Sequence, residues 1–177
     1  MSLDALFAQT ECPFDLVYID GGSPAEIAEK LEATVESYGH TYIRHEHFLI
    51  PNDARNLGLS HVETEYVAFI DNDVVFEPGW LTALVKCADE TGAGLVTPTI
   101  LVGPEQRMPD LSIHHAGGTL KRVSSEEGEE LYRRHGFEHE RYLSKKGELK
   151  RCETDSTEFH VVRARMAMLD VFGGRDP

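Results

Sequence analysis

The stretch YVAFIDNDVVFEPGW, residues 66–80, decides the fold. Tyr66–Ile70 is a short unbroken apolar run, which predicts a strand buried on both faces. It runs straight into Asp71-Asn72-Asp73, and Pro78 then marks the start of a helix. Trp80, Leu81, Leu84, Val85 and Ala88 share one face of that helix, and Gly92 closes it. Sheets built from such units bind ligands beyond the carboxyl ends of their strands, which is where Asp71 and Asp73 fall.

The same grammar extends outward. Asp15–Ile19 reads as a short buried strand, followed by the turn Asp20-Gly21-Gly22-Ser23-Pro24. Ser23 is expected to cap a helix with Pro24 at its first position. Ile27, Ala28, Leu31 and Val35 give that helix its apolar face, and it ends near Gly39. Thr41–Arg44 is a second strand, and Asn52 or Asp53 is expected to cap a helix carrying Ala54, Leu57 and Val62. Downstream, Gly94–Thr97 reads as a strand stopped by Pro98. Residues 104–151 are charge-rich and predict an irregular excursion with one hairpin around Ile113–Leu120, not a second core. Thr157–Arg163 reads as a returning strand and Ala164–Phe172 as a helix. Alternating strands and helices predict an α/β fold, a mostly parallel sheet with helices on both faces.

Composition excludes several classes. Among 177 residues, 17 Lys and Arg face 31 Asp and Glu, a net charge of −14. A nucleic-acid coat or an anionic-lipid binder needs the opposite sign. No apolar run approaches the ~20 residues of a membrane helix, and without a basic stretch followed by an apolar one at its start no signal peptide is expected. Three scattered cysteines fit neither a disulfide framework nor a zinc site, so a reduced cytoplasmic setting is expected. The paired histidines at 45/47, 114/115 and 135/139 lack a third ligand at zinc-like spacing.

Two carboxylates at i and i+2 on extended backbone point to the same side. Asp71 and Asp73 can therefore grip a hard cation, Mn²⁺ or Mg²⁺, which completes its shell with water and phosphate oxygens. Such an ion lets an acidic protein accept a diphosphate. The plainer reading is two strand-end acids capping a turn. Asp20 holds the matching place on its own strand, where it can accept hydrogen bonds from a base or ribose or simply cap a Gly-rich turn. Arg55 and Asn56 open the next helix, placed to offset phosphate charge or to buttress the Asp71 loop.

Taken in order, QTECPFDLVYIDGGS, PNDARNLGLSHVETEYVAFIDNDVVFEPGWLTALV, GAGLVTP, EFHVVR and FGGRDP resemble family 2 glycosyltransferases of the GT-A fold. The most specific stretch is Arg55–Trp80, with RNxG, YVxFIDxD and PGW at family spacing. The resemblance implies a single domain over 1–177, with a nucleotide-binding half at 3–103 and an acceptor-side half at 104–177. It implies metal-dependent transfer of a sugar from a nucleotide-sugar donor to a carbohydrate or other hydroxyl acceptor, with inversion. Asp20, Arg55, Asn56, Asp71 and Asn72 would contact the donor; Asp71, Asp73 and His160 would serve the metal. The general base is either Asp176, in a GGxD-like segment, or Glu158, in an ExH-like strand. The expected setting is the cytoplasm, extending to the cytoplasmic membrane face.

The sequence departs from the family at both ends. The family's first strand has no counterpart before Leu3, and the chain stops at Pro177, so a chain clipped at both ends is expected. A strand exposed by a lost neighbour would invite a homodimer. Two further readings stay open. AFIDNDVV also fits a haloacid-dehalogenase-type phosphatase, with Asp71 as nucleophile, Asp73 as acid/base and Thr97 or Thr99 supplying a hydroxyl. The other is a non-catalytic sugar-nucleotide binding module.

Overall fold

A computed structural model describes residues 2–103, 110–125, 128–154 and 160–163. They divide into two compact units, one running to Gly94 and rejoined by the chain from Val161, the other Leu95–His160.

The first unit opens with α1 (Ser2–Gln9), then β1 (Val17–Gly21), α2 (Ala25–Ser37) and β2 (Thr41–His45). β1 and β2 pair in parallel from Val17↔Thr41 to Gly21↔His45, with α2 as the crossover. α3 (Pro51–Leu59) packs on β1; a methyl at Gly58 would lie 3.7 Å from Ile19 Cγ1, ordinary contact. β3 (Tyr66–Phe69) and α4 (Trp80–Thr91) follow. The core is Leu6, Ala28, Val35, Leu59, Phe76, Leu84 and Ala88. α1 is fixed from two sides. Phe7 stacks on Tyr38 with ring centroids 3.9 Å apart, and Trp80 donates its indole N–H to Thr10 Oγ1 at 3.0 Å.

The α/β expectation holds, with β1 and β2 forming a helix-connected parallel ladder. Several local expectations do not. Ser23 does not cap α2: Pro24 is itself the cap residue, with ψ at 144°, and no side chain bonds the helix start. Pro51 occupies the first turn of α3 after Ile50, in place of a cap at Asn52 or Asp53. α4 starts at Trp80 rather than Pro78, because Gly79 takes a left-handed conformation with φ 74°. The two strands expected to be buried are half-buried at nearly every position, Asp20 excepted, because both border an open cavity.

The second unit holds β4 (Leu95–Val96), β5 (Ile100–Val102), β6 (Ser112–His115), β7 (Gly118–Ser125), β8 (Gly128–His135) and α5 (Tyr142–Lys145). β5 pairs antiparallel with β6, and β7 with β8 from Gly118↔His135 to Ser125↔Gly128. The expected hairpin at Ile113–Leu120 is thus replaced by a longer one centred downstream, on the charge-rich stretch. Thr154 Oγ1 clamps its base, accepting from the Gly118 N–H at 2.8 Å. Ile113 and His115 are fully buried. β9 (His160–Arg163) is the described part of the returning strand and neighbours β3. The expected helix at Ala164–Phe172 lies outside the described residues.

Candidate functional site

The parallel register places Asp20 opposite Arg44, and Tyr18 opposite Tyr42. Residues alternate faces along a strand, so Tyr18, Asp20, Tyr42 and Arg44 share one face. Asp20 is only 3% exposed, yet its carboxylate is fully engaged by its own chain. Oδ1 accepts the Ser23 N–H at 2.9 Å. Oδ2 accepts the Tyr42 hydroxyl at 2.7 Å and Arg44 Nη1 at 3.4 Å. Arg44 Nη2 also donates to the Ser23 carbonyl at 3.1 Å, so one guanidinium ties both sides of the turn. Burial pushes the Asp20 carboxyl up. The bonds from Ser23 and Tyr42 and the Arg44 charge outweigh it and hold the group below the usual carboxylate range. The same burial, with the bond to Asp20, pushes the Tyr42 phenol up to about 12.

The turn after β1 needs its glycines. Gly22 has φ 90°, and a methyl there would sit 3.2 Å from the His47 carbonyl carbon. A methyl on Gly21 would sit 3.1 Å from the Leu49 amide nitrogen. The chain after β2 therefore passes hard against the backbone of this turn.

β3 delivers the second group of residues. Asp71 and Asp73 are exposed, and Arg55 Nη2 lies 3.5 Å from Asp71 Oδ1. The Arg55 guanidinium also lies 5.9 Å from the centroid of the Phe69 ring. Asn56, the next residue of α3, has a buried Oδ1 with no hydrogen-bond partner among the described residues. Asp20, Gly21, Ser23, Arg55, Asp71, Asn72 and Asp73 all line one cavity of about 1660 Å³, lying within the first unit. Asn56 does not line it.

Of the other expected site residues, His160 begins β9, where the backbone alone is described. Glu158 and Asp176 lie outside the described residues. Tyr42 and Arg44 were missed by sequence reasoning. The signal was available: aligning the carboxyl ends of two adjacent parallel strands sets Arg44 beside Asp20.

Among the described residues, no three His, Cys, Asp or Glu side chains are grouped to hold a metal ion. No helix among them is long and apolar enough to cross a membrane.

Comparison with known proteins agrees with this geometry. The family model for glycosyl transferase family 2 matches residues 2–168. A curated relative, the pre-mycofactocin glycosyltransferase of Mycobacterium tuberculosis, is 39% identical over 59 residues, in strain CDC 1551 / Oshkosh and in strain ATCC 25618 / H37Rv alike. The matched stretch covers 33% of this chain and 13% of that protein. A parallel ladder with two acids at the carboxyl edge and a family match over nearly the whole chain lead to one assignment: the chain belongs to glycosyl transferase family 2.

Proposed function

We propose that this chain binds a nucleotide-sugar at the carboxyl edge of β1 and β3 and transfers its sugar to an acceptor hydroxyl. One observation carries the reading: Asp20, Arg55, Asp71 and Asp73, from three separate segments, line a single cavity. Family membership favours sugar transfer over the phosphatase reading of Asp71.

Each residue has work suited to its chemistry. A carboxylate offers about four acceptor sites. At Asp20 these are taken by Ser23, Tyr42 and Arg44, so a ribose hydroxyl or a base N–H would bond it only in place of one of them. Tyr42 and Arg44 keep Asp20 ionised and aimed. Arg55, now against Asp71, is free to turn its charge toward a diphosphate, a planar fork that suits such oxygens. Asp71 and Asp73 present only oxygen donors and stand exposed, which fits Mn²⁺ or Mg²⁺ held with water and phosphate ligands. Bound there, the cation would offset negative charge on the departing nucleoside diphosphate. The acceptor oxygen bonds the anomeric carbon as the bond to the diphosphate breaks, and inversion follows from attack on the opposite face. Asp176 or Glu158 takes the hydroxyl proton. The three cysteines are free thiols, in keeping with a cytoplasmic setting.

The test is turnover. Purified protein is incubated with UDP-, GDP- and dTDP-sugars and Mn²⁺, and nucleoside diphosphate release is followed. Release from one donor class, falling at least ~100-fold in Asp73→Asn, is expected. Equal release by wild type and Asp73→Asn would contradict the proposal; tight binding without release would make the chain a binding module.

A further inference from the structure

The β7–β8 ribbon differs in charge from the rest of the chain. Residues 118–135 carry four Lys and Arg against four Glu, so the ribbon is neutral within a chain of net charge −14. Those charges are also sorted. β8 reads Gly128-Glu129-Glu130-Leu131-Tyr132-Arg133-Arg134-His135: two acids, an apolar pair, then two bases. Reversed, the same strand runs bases, apolar pair, acids. It is therefore complementary to itself in the antiparallel direction.

The backbone offers a side on which such pairing can occur. β8 has a single strand neighbour among the described residues, β7. The Gly136 N–H donates to the Gly117 carbonyl at 2.8 Å, which sets the phase of the ladder. Alternate pairs of an antiparallel ladder exchange bonds. Glu130, Tyr132 and Arg134 therefore bond β7, and Glu129, Leu131 and Arg133 direct their N–H and C=O groups to the outer side. Gly118 fits the same phase, since its N–H and C=O both meet Thr154 Oγ1 on the outer side of β7. Lys121 and Val123 on one face of the ribbon, and Arg122 and Ser124 on the other, are exposed. Tyr132 is 53% exposed. A two-stranded ribbon exposed on both faces is marginal by itself and gains from further strands.

We propose that β8 is a self-association edge, pairing antiparallel with β8 of a second copy about a two-fold axis to make a four-stranded sheet. In the new ladder, outward-directed residues must meet one another. With the axis at Leu131, Glu129 falls opposite Arg133 of the second copy, and Arg133 opposite its Glu129. Leu131 meets Leu131, and Glu130 falls opposite Tyr132. Opposite charges directly across a ladder attract and like charges repel, so a parallel approach, acid on acid, is disfavoured. Within one ribbon, Arg122 and Lys121 are already diagonal neighbours of Glu129 and Glu130. The second copy adds a basic neighbour on the other flank and displaces neither. Repulsion between the two net charges is screened within about 8 Å at physiological salt, whereas residues across a ladder lie about 5 Å apart. No residue of β8 lines the donor cavity, so this proposal stands independently of sugar transfer.

The experiment follows the whole chain, without nucleotide, by sedimentation velocity and amide exchange. A single strand pair buries a small area, so the dimer is weak and concentrations from ~5 to ~500 μM are needed. The expected result is a monomer that becomes a dimer across this range, with the Leu131 and Arg133 amides slowing at least ~10-fold as it forms. Glu129→Arg and Arg133→Glu each set like charges across the axis and are expected to weaken self-association at least ~10-fold. Mixed together, these two variants regain both opposite-charge pairs and are expected to dimerise with each other, which a misfolded variant could not do. A wild type monomeric throughout would overturn the proposal. So would a dimer that neither substitution weakens, or a mixture that fails to associate. Protection of Leu131 and Arg133 that does not change with concentration would also overturn it, by giving the edge to the same chain.

Discussion

Tyr42 donates its phenolic hydrogen to Asp20 Oδ2 across 2.7 Å, linking the carboxyl ends of two parallel strands at the edge of the cavity. The bond helps hold an almost fully buried carboxylate in its charged form. Truncating it leaves several groups without their partner. Asp20→Ala is expected to destabilise the fold by about 2–3 kcal/mol, since the Ser23 amide and the Tyr42 hydroxyl both lose their acceptor. Asp20→Asn retains an acceptor and is expected to cost about 1 kcal/mol. Urea denaturation of the three proteins checks the order. Equal stability of wild type and Asp20→Ala would remove the network from the account.

The pH dependence has two arms. The Tyr42 phenol, pushed up to about 12, stays neutral in the fold where an unfolded tyrosine ionises near ~10. Its contribution to stability is complete below ~10 and is lost as pH rises toward ~12. Asp20, held below the usual range, contributes fully above ~4, and the contribution is lost as pH falls through its lower folded value. Tyr18 is also pushed up, by burial and the Asp20 charge, so absorbance titration near 295 nm is expected to show more than one late tyrosine, of which the Tyr42 step vanishes in Tyr42→Phe. That step is expected to move toward ~10 in Asp20→Asn, where the bond to a charged acceptor is gone.

The turn after β1 gives a purely steric test. Gly22→Ala forces a side chain into a left-handed conformation against the His47 backbone, and is expected to cost about 1–2 kcal/mol. Gly147→Ala meets nothing within 4 Å and is expected to change stability little. Thermal denaturation of both proteins measures the contrast, and equal shifts would contradict the close approach of the two loops.

The strands that carry the site were legible because each is a short apolar run ending in acid. Tyr66–Phe69 meets Asp71 in this way, and Val17–Ile19 runs into Asp20 within β1 itself. Helix starts were less so. Proline fixes φ but leaves ψ open, so Pro24 stands just outside α2 in an extended conformation, and Gly79 separates Pro78 from α4. The β7–β8 hairpin was hidden for another reason. Lys121, Arg122, Val123 and Ser124 are all exposed, so no apolar alternation marks the strand. At the site, Asp71, Asp73, Asp20 and Arg55 could be read locally. Tyr42 and Arg44 could not, since their role arises from pairing between strands more than twenty residues apart.

The central claim is that Asp71 and Asp73 let an acidic chain hold a nucleoside diphosphate through a divalent cation. The Arg55–Asp71 pair is surface-exposed and worth at most about 1 kcal/mol, so Asp71→Asn and Asp73→Asn are expected to fold normally. The direct measurement is the melting temperature of wild type and the doubly substituted protein with UDP, GDP or dTDP, each with and without Mn²⁺. At about 100-fold excess over Kd, one nucleotide is expected to raise the wild-type Tm by at least ~5 °C, only with Mn²⁺, and to leave the double variant unmoved. A shift that persists without the metal or in the double variant, or no shift with any nucleotide, would contradict the account.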